Sequence, residues 1–154
     1  MRFRFLVLLG GLLVLTPLAA RAQDAQSKLW DAAIAGDTVI LAQALAEGAN
    51  IDSLDTRRNM NGRRALNWAA YHNRGPAVRL LIAKGAKLNL TNLTGFTPVH
   101  HAAEAGSTEA LNILLAAGAD FTIPNRQGNL PIDTAKHRGN LEAVQALEAA
   151  ARKP

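Results

Sequence analysis

Apolar residues recur along the chain at helical spacing, in short blocks punctuated by glycine. Leu29, Trp30, Ala32 and Ala33 form one stripe, and Leu41, Ala44 and Leu45 form the next. Val99, Ala102 and Ala103 give a narrow stripe, followed by Leu111, Leu114 and Leu115. Leu141, Val144 and Leu147 form the last, flanked by Glu142, Gln145 and Glu148. Recurrence at i, i+3 and i+4 predicts short amphipathic helices. Thr97-Pro98 predicts a helix start, since Thr caps orphan N–H groups and Pro is tolerated in the first turn. Gly36, Gly106 and Gly139 predict where the shorter helix of each pair ends, with Asn73 in that place in the second block. A left-handed terminal residue favours Gly, and Asn after it.

The blocks are periodic. Gly62, Gly95 and Gly128 are 33 residues apart, as are Gly85-Ala86 and Gly118-Ala119, and Ala69-Ala70 and Ala102-Ala103. Gly48-Ala49 precedes Gly85-Ala86 by 37, so the second unit carries four extra residues between Ile51 and Gly62. A fixed period in this range signals stacked supersecondary units, each unable to bury its apolar face alone. The units expected are residues 28–51, 52–88, 89–121 and 122–150, with residues 23–27 and 151–154 as flexible ends.

The third unit is the cleanest. Thr97-Pro98-Val99-His100, Ala102-Ala103, Gly106, Leu114-Leu115 and Gly118-Ala119-Asp120 follow one another in order. This resembles the ankyrin repeat, with one conservative change in its Thr-Pro-Leu-His motif. The second unit departs most, with Arg64-Ala65 for Thr-Pro and Asn67 for His; the last reads Leu130-Pro131-Ile132-Asp133. The resemblance implies an all-α solenoid of about four helix-turn-helix units joined by hairpin loops. It also implies a structural hydrogen-bonding role for His100 and a concave binding face made of hairpin tips and short helices.

The start of the chain reads differently. Arg2 and Arg4 precede an apolar run from Phe5 to Leu18, and Ala20-Arg21-Ala22 supplies small residues for a peptidase. The run is shorter than the roughly 18–20 residues a spanning helix needs. A secretory signal peptide over residues 1–22 is expected, cleaved after Ala22, with export to the periplasm or secretion and no stable membrane anchor afterwards. Loss of this segment takes three arginines, leaving 14 basic against 12 acidic residues and a charge of +2 in place of +5. That is no electrostatic footprint for nucleic acid. With no cysteine, disulfides, thiol catalysis, Cys-ligated zinc and lipid attachment at Cys are excluded.

Catalytic motifs are lacking, with no Gly-x-Ser-x-Gly, His-Glu-x-x-His or phosphate-cradling loop. No cofactor is expected. His100 and His101 point about 100° apart on a helix and make a poor chelate. His72 and His137 share one position in the repeat and form the basis of a groove metal-binder or enzyme reading. Asn89-Leu90-Thr91 and Asn92-Leu93-Thr94 match a glycosylation pattern, and read equally as polar hairpin residues.

By the resemblance, the concave strip maps to Met60, Asn61, Arg63, Tyr71 and His72 in unit two. In unit three it maps to Leu93, Thr94, Phe96, Glu104 and Ala105, and in unit four to Arg126, Gln127, Asn129, Lys136 and His137. Exposed aromatic and Arg side chains in one strip are typical of binding hot spots. Arg57, Arg58, Arg63 and Arg64 form a basic hairpin tip. It reads as a solvated loop, or as a surface steering an acidic partner or an anionic membrane. The function expected is a non-catalytic protein-binding module. Inhibition of an exported toxin or hydrolase is an alternative. The resemblance extends to small exported bacterial ankyrin proteins, some associated with peroxide protection; with no cofactor site such a role would act through a partner.

Overall fold

The computed structural model describes residues 18–57 and 61–152. Within them, eight helices form four antiparallel pairs. These are α1 (Leu18–Ala35) with α2 (Thr38–Ala46), α3 (Ala65–Tyr71) with α4 (Gly75–Ala83), α5 (Pro98–Ala105) with α6 (Thr108–Ala116), and α7 (Pro131–Arg138) with α8 (Leu141–Ala151). The odd-numbered helices stack in one row and the even-numbered in a second. The architecture is the expected helix-turn-helix solenoid.

Three inner helices begin the same way with different chemistry. In α3, α5 and α7 the third residue accepts the hydrogen bond of the backbone N–H just before the helix. Asn67 Oδ1 takes that of Arg64 at 3.0 Å, His100 Nδ1 that of Thr97 at 3.2 Å, and Asp133 Oδ2 that of Leu130 at 2.9 Å. Any acceptor of the right length satisfies the orphan donor. The inner helices end at Gly36, Asn73, Gly106 and Gly139, all with positive φ; Asn73, at 54°, is the non-glycine among them.

Ala32, Ala33, Ala69, Ala70, Ala102, Ala103 and Ala135 are buried where inner helices meet. Their small side chains let the backbones approach. Behind them Leu41, Leu81, Leu111, Leu114 and Leu147 are fully buried on the outer row, each worth about 2 kcal/mol in apolar transfer.

Hydrogen bonds also run from unit to unit. Arg74, Ser107 and Asn140 occupy one repeat position, just before an outer helix. Each reaches back to a carbonyl near the end of the preceding inner helix: Arg74 to Ile34 O, Ser107 to Tyr71 O, Asn140 to Ala103 O and Glu104 O. Asp52 Oδ1 accepts from Lys87 N, and Asn89 Oδ1 from Asp120 N, at the hairpin bases. Leu93 N donates to Asn61 O, and Arg126 N to Thr94 O, at the tips. The four extra residues of unit two fall between Asp55 and Arg63, which pair across the base of that hairpin.

Residues 23–27 depart from the expected flexible end. They lie within α1, where Ala25 is buried and Gln26 exchanges two hydrogen bonds with the backbone of Asn50. At the other end, α8 carries order through Ala151. Residues 1–17, which hold most of the expected signal peptide, lie outside the described residues, as do Arg58, Met60 and the last two of the chain.

Gly95 combines a φ of 84° with a close approach: a Cβ there would stand 2.6 Å from the Arg126 backbone nitrogen. Gly118 has the same φ and open space around it. Gly118→Ala is expected to lose about 1–2 kcal/mol, the left-handed penalty alone. Gly95→Ala should lose more, because the tip-to-tip contact must also shift. Urea unfolding of the two variants checks the order.

Candidate partner-binding groove

The stack brings side chains one period apart into rows. Asn61, Thr94 and Gln127 line the hairpin tips. Arg63, Phe96 and Asn129 follow on the returning arms. Trp68, His101 and Thr134, then Tyr71, Glu104 and His137, lie on the inner helices. Between tips and helices runs a groove with two adjoining recesses that share Phe96, Glu104 and Gln127. One, of about 230 Å³, is lined also by Asn61, Arg63, Thr94 and His101. The other, of about 420 Å³, is lined also by Asn129, Asp133, Thr134, His137 and Arg138.

Rings make a continuous floor. Trp68 stacks on His72 at 5.9 Å between centroids, and Tyr71 meets His72 and His101 edge-on. Phe96 lies against His100 and His101 at 5.2 and 5.4 Å. The Arg63 guanidinium lies over Trp68 at 4.5 Å and Tyr71 at 4.3 Å. Four of the seven Phe, Tyr and Trp residues, Trp30, Trp68, Tyr71 and Phe96, thus lie on inner helices or hairpin arms.

Glu104 is the electrostatic centre. Its carboxylate is 2.6 Å from Arg138, 3.5 Å from His101 Nδ1 and 4.0 Å from Arg63. The His101 ring nitrogen facing it and then the Arg138 guanidinium hold its carboxyl down at about 2, against the opposing effect of burial. The tautomer of His101 follows from its neighbours. Asn92 Oδ1 accepts from Thr94 N, Thr94 Oγ1 and Phe96 N, so its Nδ2 is the donor toward His101 Nε2 at 3.4 Å. His101 then carries its proton on Nδ1, facing Glu104. Burial pushes His101 down to about 4, with Glu104 only partly offsetting it. His100 is held on both sides, accepting from Thr97 and donating from Nε2 to Asn129 O at 3.1 Å. This is the structural role expected for it.

The expected strip is brought together in its central part. Asn61, Arg63, Thr94, Phe96, Glu104, Gln127, Asn129 and His137 all line the two recesses. Tyr71 and His72 form part of the ring floor below them. Phe96 is half-buried, not projecting, because it packs sideways on the two histidines. Leu93 is exposed at the tip beside Gly62, while Arg126 and Lys136 are exposed on the rim. His72 and His137 do not converge; among the described residues no three His, Asp or Glu side chains gather as metal ligands.

The basic hairpin differs from a set of free charges. Arg57 binds the fully buried carboxylate of Asp55 through Nε at 2.9 Å, reaches Asp31 at 3.2 Å and lies over Trp30 at 4.8 Å. Asp55 also accepts from Trp68 Nε1. Arg64 donates to Thr91 O at 2.9 Å, tying unit two to unit three. The reason is local. The hairpin Asx position is Asn in units three and four but Asp here, and a buried carboxylate demands a cation. Asn89 and Asn92 are likewise taken up by hairpin hydrogen bonds.

Trp68, His101 and Arg138 belong to the groove although the strip implied by the resemblance does not include them. His101 precedes Glu104 by three positions on one helix, a spacing that does place side chains together. Arg138 follows Glu104 by one repeat plus one residue, a signal readable once the period is known.

Comparison with known proteins agrees with this geometry. The family described as "Ankyrin repeats (3 copies)" matches residues 29–125. The chain belongs to the ankyrin-repeat family. It is similar to "Ankyrin repeat domain-containing protein SAT10" of Stachybotrys chartarum, 38% identical over 82 residues, which are 53% of this chain and 4% of that protein. It is also similar to "Ankyrin repeat protein OPG189" of Monkeypox virus, 39% identical over 64 residues, which are 42% of this chain and 11% of that protein. The chain therefore matches a small part of the length of these relatives. Ankyrin repeats are in general protein-protein interaction modules and not enzymes. The fourth helix pair lies beyond the matched residues and repeats their design.

Arg57→Ala takes from the buried Asp55 carboxylate the cation that pairs with it among the described residues, and is expected to lower stability by about 2 kcal/mol. Lys136→Gln, on the exposed rim, should change it by less than about 0.5 kcal/mol. Urea midpoints compare them. A second expectation concerns pH. The unfolded chain protonates His101 near its usual value of 6.5, while the folded chain resists protonation down to about 4. Its contribution to stability is complete above pH 6.5 and is lost as pH falls toward 4, by an amount of the order of 3 kcal/mol. Glu104 adds a further loss below the usual carboxylate range, toward pH 2. Unfolding midpoints between pH 7 and 4.5 should fall steeply, and less steeply in His101→Asn.

Proposed function

We propose that this ankyrin-repeat chain is an exported, non-catalytic module that holds a segment of an acidic partner protein in its concave groove. The observation that carries the reading is the groove itself: a ring floor, with Arg63 laid over it and Glu104 beside it, walled by aligned polar tips and spanning units two to four. Such a surface is held by unit-to-unit hydrogen bonds at the hairpin tips and bases and before the outer helices, and a preorganised surface lowers the entropic cost of capture. Its chemistry suits recognition. His100 is locked by its neighbours, and the hydroxyl beside it, Thr97 Oγ1 at 2.8 Å, is buried in the helix cap.

Export to the periplasm rests on Arg2, Arg4, the Phe5–Leu18 run and Ala20-Arg21-Ala22. A chain without cysteine suits an oxidising compartment. A protective role in periplasmic peroxide stress would then be exerted through the bound protein, since no redox side chain of cysteine type is present.

Two measurements test the reading. In cells that express the chain natively, mass spectrometry should find the mature protein in the periplasmic fraction, beginning at Gln23. A photo-crosslinking residue at Thr94 or Gln127 should capture one protein in intact cells, while the same residue at Asn112 on the outer row should not. Equal capture from Asn112, or none from the groove, would sink the groove as the binding surface.

A further inference from the structure

The two groove arginines differ from Arg57 in how their charge is met. Arg57 has both oxygens of Asp55 and one of Asp31 within 3.2 Å. Arg138 has Glu104 at 2.6 Å and is more than half exposed. Arg63 is 15% exposed, and the carboxylate it faces is Glu104 at 4.0 Å, whose nearer contacts are Arg138 and His101. One carboxylate thus serves two guanidiniums and a histidine N–H, and Arg63 stands farthest from it. Burial works against the Arg63 charge, with Glu104 opposing that only in part.

The same residue is well prepared for a ligand. Its planar group lies over both Trp68 and Tyr71, which fixes its orientation before anything binds. A preoriented guanidinium loses little rotamer freedom on forming a forked pair with a carboxylate. The recess it lines, about 230 Å³, has room for an Asp or Glu side chain, and Asn61, Thr94 and Gln127 around it are hydrogen-bonding neighbours without charge. The cluster of Arg63, Arg138, Glu104 and a neutral His101 carries one net positive charge, which one carboxylate cancels.

We propose that the recess between the tips of units two and three seats a single Asp or Glu side chain of the partner protein on the guanidinium of Arg63. This rests on the groove being the partner site, and adds which chemical group it reads and where. Glu104 is the built-in competitor for the same cation and tunes the strength of the seat. A doubly charged phosphate is disfavoured there, since Glu104 already supplies a negative charge beside it.

The test uses the folded chain and three fluorescein-labelled peptides, Gly-Ser-Leu-Glu-Leu-Ser-Gly and its forms with Gln or phosphoserine in place of Glu. Fluorescence anisotropy should show the Glu peptide binding about tenfold tighter than the Gln peptide, as one charge-assisted pair supplies. Arg63→Gln should abolish that preference, and Glu104→Gln should enlarge it. In the unaltered protein, the Arg63 Nε–H signal in nitrogen-15 NMR should move with the Glu peptide and stay with the Gln peptide. That arm decides even where Arg63→Gln fails to fold. Equal affinity for Glu and Gln, tighter phosphoserine binding, an unmoved Arg63 signal, or no binding up to about 1 mM overturns the proposal. If the Thr94 crosslink still captures its protein under any of these results, the carboxylate seat alone has failed. If that crosslink fails as well, the groove reading has failed with it.

Discussion

Each helix pair has apolar side chains on both flanks of its short inner helix, so one pair cannot bury them by itself. Stacking is the constraint from which the rest follows. The inner helices meet through alanines, and alanine contact brings backbones close enough for Arg74, Ser107 and Asn140 to reach the carbonyls of the unit before. Those bonds satisfy helix ends that would otherwise lie unpaired in the interior. Apolar contact and polar satisfaction therefore depend on one another, and both act only between neighbours, as in other repeat arrays.

The groove is a by-product of that stacking. Because each unit repeats its neighbour's geometry, residues one period apart form rows, and whatever varies along a row becomes the binding chemistry. Tyr71, Glu104 and His137 share a row, and so do Arg63, Phe96 and Asn129. The scaffold tolerates this variation because its own needs are met elsewhere, by the third residue of α3, α5 and α7 and by the glycine turns. The hairpin Asx row shows the limit of that tolerance. Asp55 in place of Asn draws in Arg57 and Trp68, so a change of one charge recruits two neighbours. Asn125, on the same row, has no such neighbour and leaves its buried Nδ2 without a partner, since Thr134 is too short.

Most of the fold was legible in the chain. Thr97-Pro98, Gly106, Thr108 to Ala116 and Gly118 fall where the pattern places them, because caps, glycine turns and apolar stripes are local properties. Departures arose where a long-range bond decides. The segment of residues 23–27 carries no strong helical stripe, yet Gln26 and Asn50, 24 residues apart, hold it in α1. The strip was legible as a set of positions through the period. Its internal contacts were not: a run of four arginines gives no hint that one serves a buried carboxylate, one a neighbouring carbonyl, and one two aromatic rings.

The sequence by itself determined how many units there are and where helices such as α5 and α6 begin and end. Those depend on backbone conformation within a few residues, which side-chain type governs directly. Only the tertiary structure decided that Arg63, His101 and Arg138 converge on Glu104 and that Phe96 lies down on its histidines. Long side chains choose among several partners within reach, and that choice is set by the distance and tilt between adjacent units, which no single repeat encodes.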